Sequence, residues 1–194
     1  MRSTYKNMIN VNYEVLSGEL CDGLIASYEK NADNAKTSDI ASDNPKLKQI
    51  RNSKELTLEW EDVLAQNALE LLKPLIDKYI SSYPDVAKAF HSSYYEPIRL
   101  LKYKAHDGFY NFHFDTDGDD IKNRVLSIVM YLNDVEAGGC TSFRNFENQE
   151  VEARKGKIVI FPSGWTHTHQ GNMPRSNDKY VCVTWLRKTE NKKT

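Results

Sequence analysis

The chain has 194 residues with 26 basic and 27 acidic side chains, a length that supports one domain (1–194) with its own core and is short for two. Its near-balanced charge, net −1, leaves no basic surface for nucleic acid or an anionic membrane. No apolar run reaches transmembrane length, the start (Met1-Arg-Ser-Thr-Tyr-Lys) lacks a signal-peptide core, and three scattered cysteines (Cys21, Cys140, Cys182) favour reduced thiols and a cytoplasmic location over a disulfide framework.

Asn10 to Val15 alternates enough for a strand. Ser17 is placed to cap a helix with Glu19 in its first turn, and Leu20, Cys21, Leu24, Ile25 and Tyr28 make the apolar stripe. Residues 31–51 turn polar and read as a mobile loop, either a lid over a site or a solvated connection. A long helix is expected near Leu58 to Tyr83, because Trp60, Leu64, Ala68, Leu71, Leu75 and Tyr79 keep helical spacing and Leu72, Ile76 and Ile80 widen the stripe. Pro74 is expected to kink it. Residues 1–96 thus read as helical support with a loop, and 97–187 as a strand-rich core.

In that core the expected strands are Ile98–Lys104, Tyr110–Asp115, Val125–Asn133, Thr141–Phe143, Lys157–Phe161, His167–Gln170 and Lys179–Arg187. Turn signals such as Asp107-Gly108, Gly138-Gly139 and Lys155-Gly156 separate them. Many short strands at regular spacing argue a sandwich or jelly roll.

His113-Phe114-Asp115 puts an imidazole and a carboxylate two residues apart, on one face of an extended strand. His167 and His169 compete as a third ligand, both facing one side of their strand. Two histidines and one carboxylate with open positions form the facial triad of non-haem Fe(II) oxygenases. Lys179 shares a face with Val181, Val183 and Trp185, so burying that face strands an ammonium in apolar company. A small dicarboxylate such as 2-oxoglutarate is a fitting partner; an edge lysine reaching water is the plainer reading. The acidic run Asp115 to Asp120 misses the spacing of a calcium loop.

These pieces, in order, resemble the catalytic core of the Fe(II)/2-oxoglutarate-dependent dioxygenases, in their prolyl 4-hydroxylase-like branch. The matching residues run from Tyr103 to Asp115, from Arg124 to Asn133, from Gly138 to Phe143, then Phe161-Pro162, His169-Gln-Gly171 and Lys179-Tyr180. The resemblance implies a mainly β fold with N-terminal helices (α+β): a double-stranded β-helix, or cupin-like jelly roll, buttressed by two helices. It implies His113, Asp115 and His169 as ligands of Fe(II), with His167 beside the site. It also implies Lys179, Tyr103, Tyr131 and Thr141 around the 2-oxoglutarate tail, and Arg124 in contact with substrate. Trp185 is expected to wall the pocket.

Arg124 and Tyr131 are seven apart, so both reach one site only if Arg124 precedes the strand proper or a bulge intervenes. The activity implied is hydroxylation of an unactivated C–H bond, by default in peptidyl proline, using O2 and releasing succinate and CO2, with ascorbate as reductant. A peptide or protein, a free amino acid or another small metabolite remain as substrates. A zinc hydrolase on the same ligands and a non-catalytic jelly-roll module are the competing classes.

Overall fold

Two antiparallel sheets face each other, and helices back the larger one. The computed structural model describes residues 2–37, 50–87, 93–147 and 149–189. The larger sheet runs in the order β1 (Ser3–Lys6), β2 (Ile9–Asn12), β12 (Ile158–Pro162), β9 (Arg124–Tyr131), β14 (Lys179–Lys188), β7 (Arg99–Tyr103), β5 (Lys54–Thr57) and β3 (Lys36–Thr37). β6 (Ser93–Tyr95) pairs the far end of β14. The smaller sheet is β11 (Gln149–Val151), β10 (Thr141–Phe143), β13 (His169–Gly171), β8 (Phe109–His113) and β4 (Arg51–Asn52). This two-sheet, mainly β arrangement with N-terminal helices is the expected jelly roll.

Period two in the central strands sorts the side chains. Leu126, Ile128 and Met130 of β9, with Cys182 and Leu186 of β14, meet the helices in one cluster. Their neighbours Tyr131 and Val181 belong to a second cluster between the sheets, with Phe143 and Phe161. The helix side is sealed by α1 (Gly18–Lys30) and α2 (Val63–Ser82), followed by the short α3 (Pro84–Ala87). Leu24 and Tyr28 of α1 and Leu72 and Tyr79 of α2 are all buried in the first cluster. Burying a side chain such as Leu72 contributes about 2–3 kcal/mol.

The Ser17 hydroxyl caps α1 by accepting from the Leu20 N–H at 3.1 Å, as expected. The long helix begins later than its periodicity suggested. The Leu58 N–H bonds to the Ile98 carbonyl (2.9 Å), so the chain is still following β5 there. Helix starts only when Asp62 accepts from Leu64 and Ala65 N–H groups at 2.8 and 3.1 Å. Trp60 therefore lies outside α2 and is exposed, not part of the apolar stripe. Pro74 sits inside α2 on its exposed side, and the helix continues past it.

The N-terminal half does more than support. β2 extends the larger sheet beside β12, β5 extends it beside β7, and β4 adds an edge to the smaller sheet beside β8. Such short additions cover strand edges that would otherwise expose unpaired backbone groups. Most of the expected loop, residues 38–49, lies outside the described residues. Among the described residues no helix is long and apolar enough to cross a membrane.

Candidate active site

The cavity opens between the sheets, where β8 and β13 bring two imidazoles together. His113 and His169 are direct cross-strand partners, with ring centroids 4.3 Å apart. Strand β8 stops at His113, earlier than expected, and Asp115 is fixed beyond it by its N–H bond to the Ser163 carbonyl at 3.0 Å. Its Oδ1 lies 3.5 Å from His113 Nε2 and its Oδ2 lies 3.7 Å from His169 Nε2. One ligand atom from each of the three lies within 4.8 Å of the others. Ligands about 2.1 Å from a shared ion are separated by about 3–3.5 Å, so little closure is needed to hold one.

The tautomers follow from the backbone. His113 Nδ1 is 2.8 Å from the Asn111 carbonyl and His169 Nδ1 is 3.0 Å from the His167 carbonyl. A carbonyl only accepts, so in the neutral ring each Nδ1 carries the hydrogen and each Nε2 presents its lone pair. Burial and the neighbouring His113 push the His169 pKa down to about 4, leaving it neutral and ready to ligate. Burial opposes ionisation of Asp115, but His169, His113 and the Ser127 hydroxyl outweigh it and hold the carboxyl well below its usual range. Ser127 Oγ donates to Asp115 Oδ2 at 2.6 Å and, its hydrogen so used, accepts from Ser163 Oγ at 2.8 Å. A buried Phe161 ring stands edge-on to His169 at 4.7 Å.

His167 is not on the strand with His169. It ends a 3-10 turn, Trp165–His167, and its ring turns away to donate from Nε2 to the Asn7 carbonyl at 2.8 Å. The Gly164–Trp165 turn breaks the extended path, so only the His167 carbonyl serves the site. The two candidates that period two alone left equal are thereby separated.

At the inner end Lys179 is 2 % exposed and pairs in register with Tyr103. Its Nζ lies 5.2 Å from the Tyr103 ring centroid and 5.5 Å from that of Tyr131. Among the described residues no carboxylate forms an ion pair with it, and burial pushes its pKa down to about 8. The Tyr131 hydroxyl donates to Thr141 Oγ1 at 2.7 Å, tying β9 to β10 across the sandwich. Tyr103 and Thr141 line the cavity. Thr141 is placed by the Gly138-Gly139 turn, where a Cβ on Gly138 (φ 72°) would sit 2.2 Å from the Met173 carbonyl oxygen.

Arg124 reaches the same cavity by the anticipated route. Leu126 pairs Leu186 and Arg124 pairs Arg187, so Val125 is an extra residue, a bulge in β9. Its fork is already engaged: Nε and Nη2 donate to Glu96 at 2.7 and 2.6 Å, and Nη1 to the Asp115 carbonyl at 3.3 Å. The guanidinium lies 3.6 Å over the centroid of Trp185, which walls the cavity as expected.

Sequence reasoning missed Ser127, Ser163, Glu96, Arg51 and Arg99. Ser127 had a signal, being polar and two and four residues from Val129 and Tyr131 on one face. Glu96, before Pro97, looks like an ordinary turn residue, and its role depends on strands brought from elsewhere.

The donor set fits a divalent transition ion, two neutral imidazoles and one carboxylate being the choice of non-haem iron. The buried, unpaired Lys179 fits a carboxylate ligand, since it otherwise carries an uncompensated charge. Apart from Asp115, no carboxylate among the described residues lines the cavity, so a metal hydrolase has no general base there.

Residues 98–187 match the family model described as the 2OG-Fe(II) oxygenase superfamily. Prolyl 4-hydroxylase 13 of Arabidopsis thaliana is 28% identical over 127 residues, 53% of this chain; the chain spans about half (46%) of that relative's length. A viral collagen prolyl hydroxylase from Paramecium bursaria Chlorella virus 1, solved with 2OG, is 19% identical, has a TM-score of 0.70 and covers 94% of this chain and 97% of its own. A Trichoplax adhaerens prolyl hydroxylase, solved with a hypoxia-inducible-factor peptide, is 17% identical with a TM-score of 0.71, covering 94% and 84%. The solved structures share the fold. The ligand triad and the lone lysine both fall inside the segment, residues 98–187, that matches the 2OG-Fe(II) oxygenase superfamily, and the curated relative it is similar to is a prolyl 4-hydroxylase.

Proposed function

We propose that this chain is an Fe(II)- and 2-oxoglutarate-dependent dioxygenase that hydroxylates a proline in a peptide. The observation that carries the reading is Lys179, an ammonium buried without a carboxylate partner on the inner side of a His-Asp-His cluster. That pair of features defines a cavity for a ligand with one chelating end and one anionic end. The relatives named as prolyl hydroxylases, one of them seen with a peptide, support the peptidyl-proline substrate.

His113, Asp115 and His169 would hold the iron, with both Nδ1–H groups tied to carbonyls so the rings cannot turn. Lys179 would hold the tail carboxylate of 2-oxoglutarate by charge-assisted hydrogen bonds, with Tyr103, Tyr131 and Thr141 closing round it. When bound, iron and 2-oxoglutarate let O2 deliver one oxygen atom to an unactivated C–H bond, with release of succinate and CO2. Ser127 keeps Asp115 ionised and oriented, while Phe161 and Phe143 flank His169 and keep water from it. Arg124, held flat over Trp185 by Glu96, offers a preset wall against which substrate is positioned.

The test is succinate release with Fe(II), ascorbate and 2-oxoglutarate, across proline peptides and free amino acids, with mass spectrometry for the added oxygen. Peptide-dependent turnover is expected. Turnover on metabolites with no peptide oxidised would remove the prolyl assignment and keep the oxygenase.

A further inference from the structure

The outer end of the cavity carries a second concentration of charge. Arg51, Arg99 and Arg124 line it, and Arg187 approaches Glu96 from behind at 3.6 Å. Against these four cations stand, among the described residues, Asp115 of the triad and two further acids. Glu96 is taken by Arg124, and Glu55 accepts from Arg51 at 3.1 Å. Arg99 reaches the same two acids only at 3.7 and 3.8 Å, too far for hydrogen bonds, and its side chain is 34% exposed. Four guanidiniums thus face three carboxylates in a chain whose net charge is −1, and the Arg99 fork, partly exposed, meets its acids only at long range.

The cosubstrate cannot be what this fork receives. Arg99, Leu101 and Tyr103 share a face of β7, and Tyr103 is the cross-strand partner of Lys179. Four residues of strand place Arg99 about 13 Å from that row. A five-carbon diacid spans roughly 5–6 Å, so one anchored at Lys179 ends well short. The arginine carbon also lies 5.0 Å from the Trp185 centroid, over the ring that Arg124 covers, so its fork is oriented as well as exposed.

Resting on the reading of the cavity given above, we infer that Arg99, with Arg51 beside it, receives a carboxylate carried by the substrate. The planar fork matches a carboxylate in two-point geometry. In a peptide the group is an Asp or Glu side chain within a few residues of the oxidised position. In a free amino acid or a C-terminal proline it is the main-chain carboxylate.

The experiment is calorimetric binding, without oxygen, to protein loaded with Fe(II) and 2-oxoglutarate. The probes are proline peptides with Glu, Gln or Lys near the proline, peptides ending in proline as free acid or amide, and L-proline. One charge-assisted contact predicts that the Glu peptide binds about tenfold more tightly than its Gln twin, with the gap shrinking in salt. Arg99→Gln closes the gap, and Arg99→Glu transfers the preference to the Lys peptide, which guards against mere misfolding. A gap confined to the free-acid termini and L-proline keeps the receptor and assigns the main-chain carboxylate. Equal affinities, no binding, or a gap that survives Arg99→Gln overturns the inference. Oxidation of the same peptides is scored separately: charge-dependent binding without oxidation removes the prolyl reading alone, and oxidation blind to charge removes the receptor alone.

Discussion

The two faces of β9 and β14 are built from alternate residues of the same strands, yet they obey different rules. On the helix side Ile128, Met130 and Cys182 are fully buried among Leu24, Leu72 and Tyr79, and the buried Thr184 opposite Ile128 spends its hydroxyl on the Glu96 carbonyl. On the inner side Ser127 and Trp185 line the cavity, and Tyr131 and Lys179 share their face, Lys179 in register with the cavity-lining Tyr103. The first face buries no charge among these residues, though the Tyr28 hydroxyl there goes unbonded; the second leaves a buried ammonium without a carboxylate among the described residues. Stability thus resides in the outer face, and the inner face accepts instability in return for chemistry.

Substitutions that separate the faces test this division. The largest effect is expected at the triad: His169→Ala should abolish metal-dependent turnover, while His167→Ala, whose ring points to Asn7, should keep a substantial part of it. Loss in both variants alike would argue that the His167 ring itself serves the site. Glu96→Ala leaves the buried Arg124 without its acid and should cost about 3–5 kcal/mol in a denaturant melt. On the outer face, Leu72→Ala should cost about 2–5 kcal/mol with the 2-oxoglutarate Kd unmoved, and a changed Kd would show the faces to be coupled.

Lys179→Met should act oppositely on the two properties. It should raise the 2-oxoglutarate Kd about 30-fold or more by removing the charge-assisted contact, yet make the ligand-free protein more stable. The sign follows from the pKa, about 8 when folded against 10.5 ordinarily. Below pH 8 both folded and unfolded chains hold the proton and the burial penalty is full. Between about 8 and 10.5 the unfolded chain holds more of it, so stability rises with pH. The variant's advantage, on the order of 3 kcal/mol at pH 7, should fade by pH 10.5 in paired melts. A constant difference between the two curves would mean the ammonium is not desolvated.

What the sequence disclosed about this division was the part governed by local repeats. Period two assigned Lys179, Val181 and Trp185 to one face before any contact was known, and the seven-residue interval from Arg124 to Tyr131 demanded the irregularity found at Val125. The cap at Ser17 and the apolar stripe of α2 were legible for the same reason. Partners set by distant register were not: Arg51 arrives through the β4–β8 pairing and Glu96 through backbone bonding to Trp185. Where local pattern misled, a tertiary bond had prevailed, as when the Ile98 carbonyl holds Leu58 in an extended path and strands Trp60 outside its helix.

The supernumerary Val125 also bears on how such a chain can diverge. The residue has no partner on β14, so the ladder makes no cross-strand demand on its side chain. Without it Arg124 would stand six residues from Tyr131, and period two would keep it opposite Arg187 on the cavity face. A one-residue gap is thus open at this position, whereas the same gap further along β9 would turn every side chain before it to the other face.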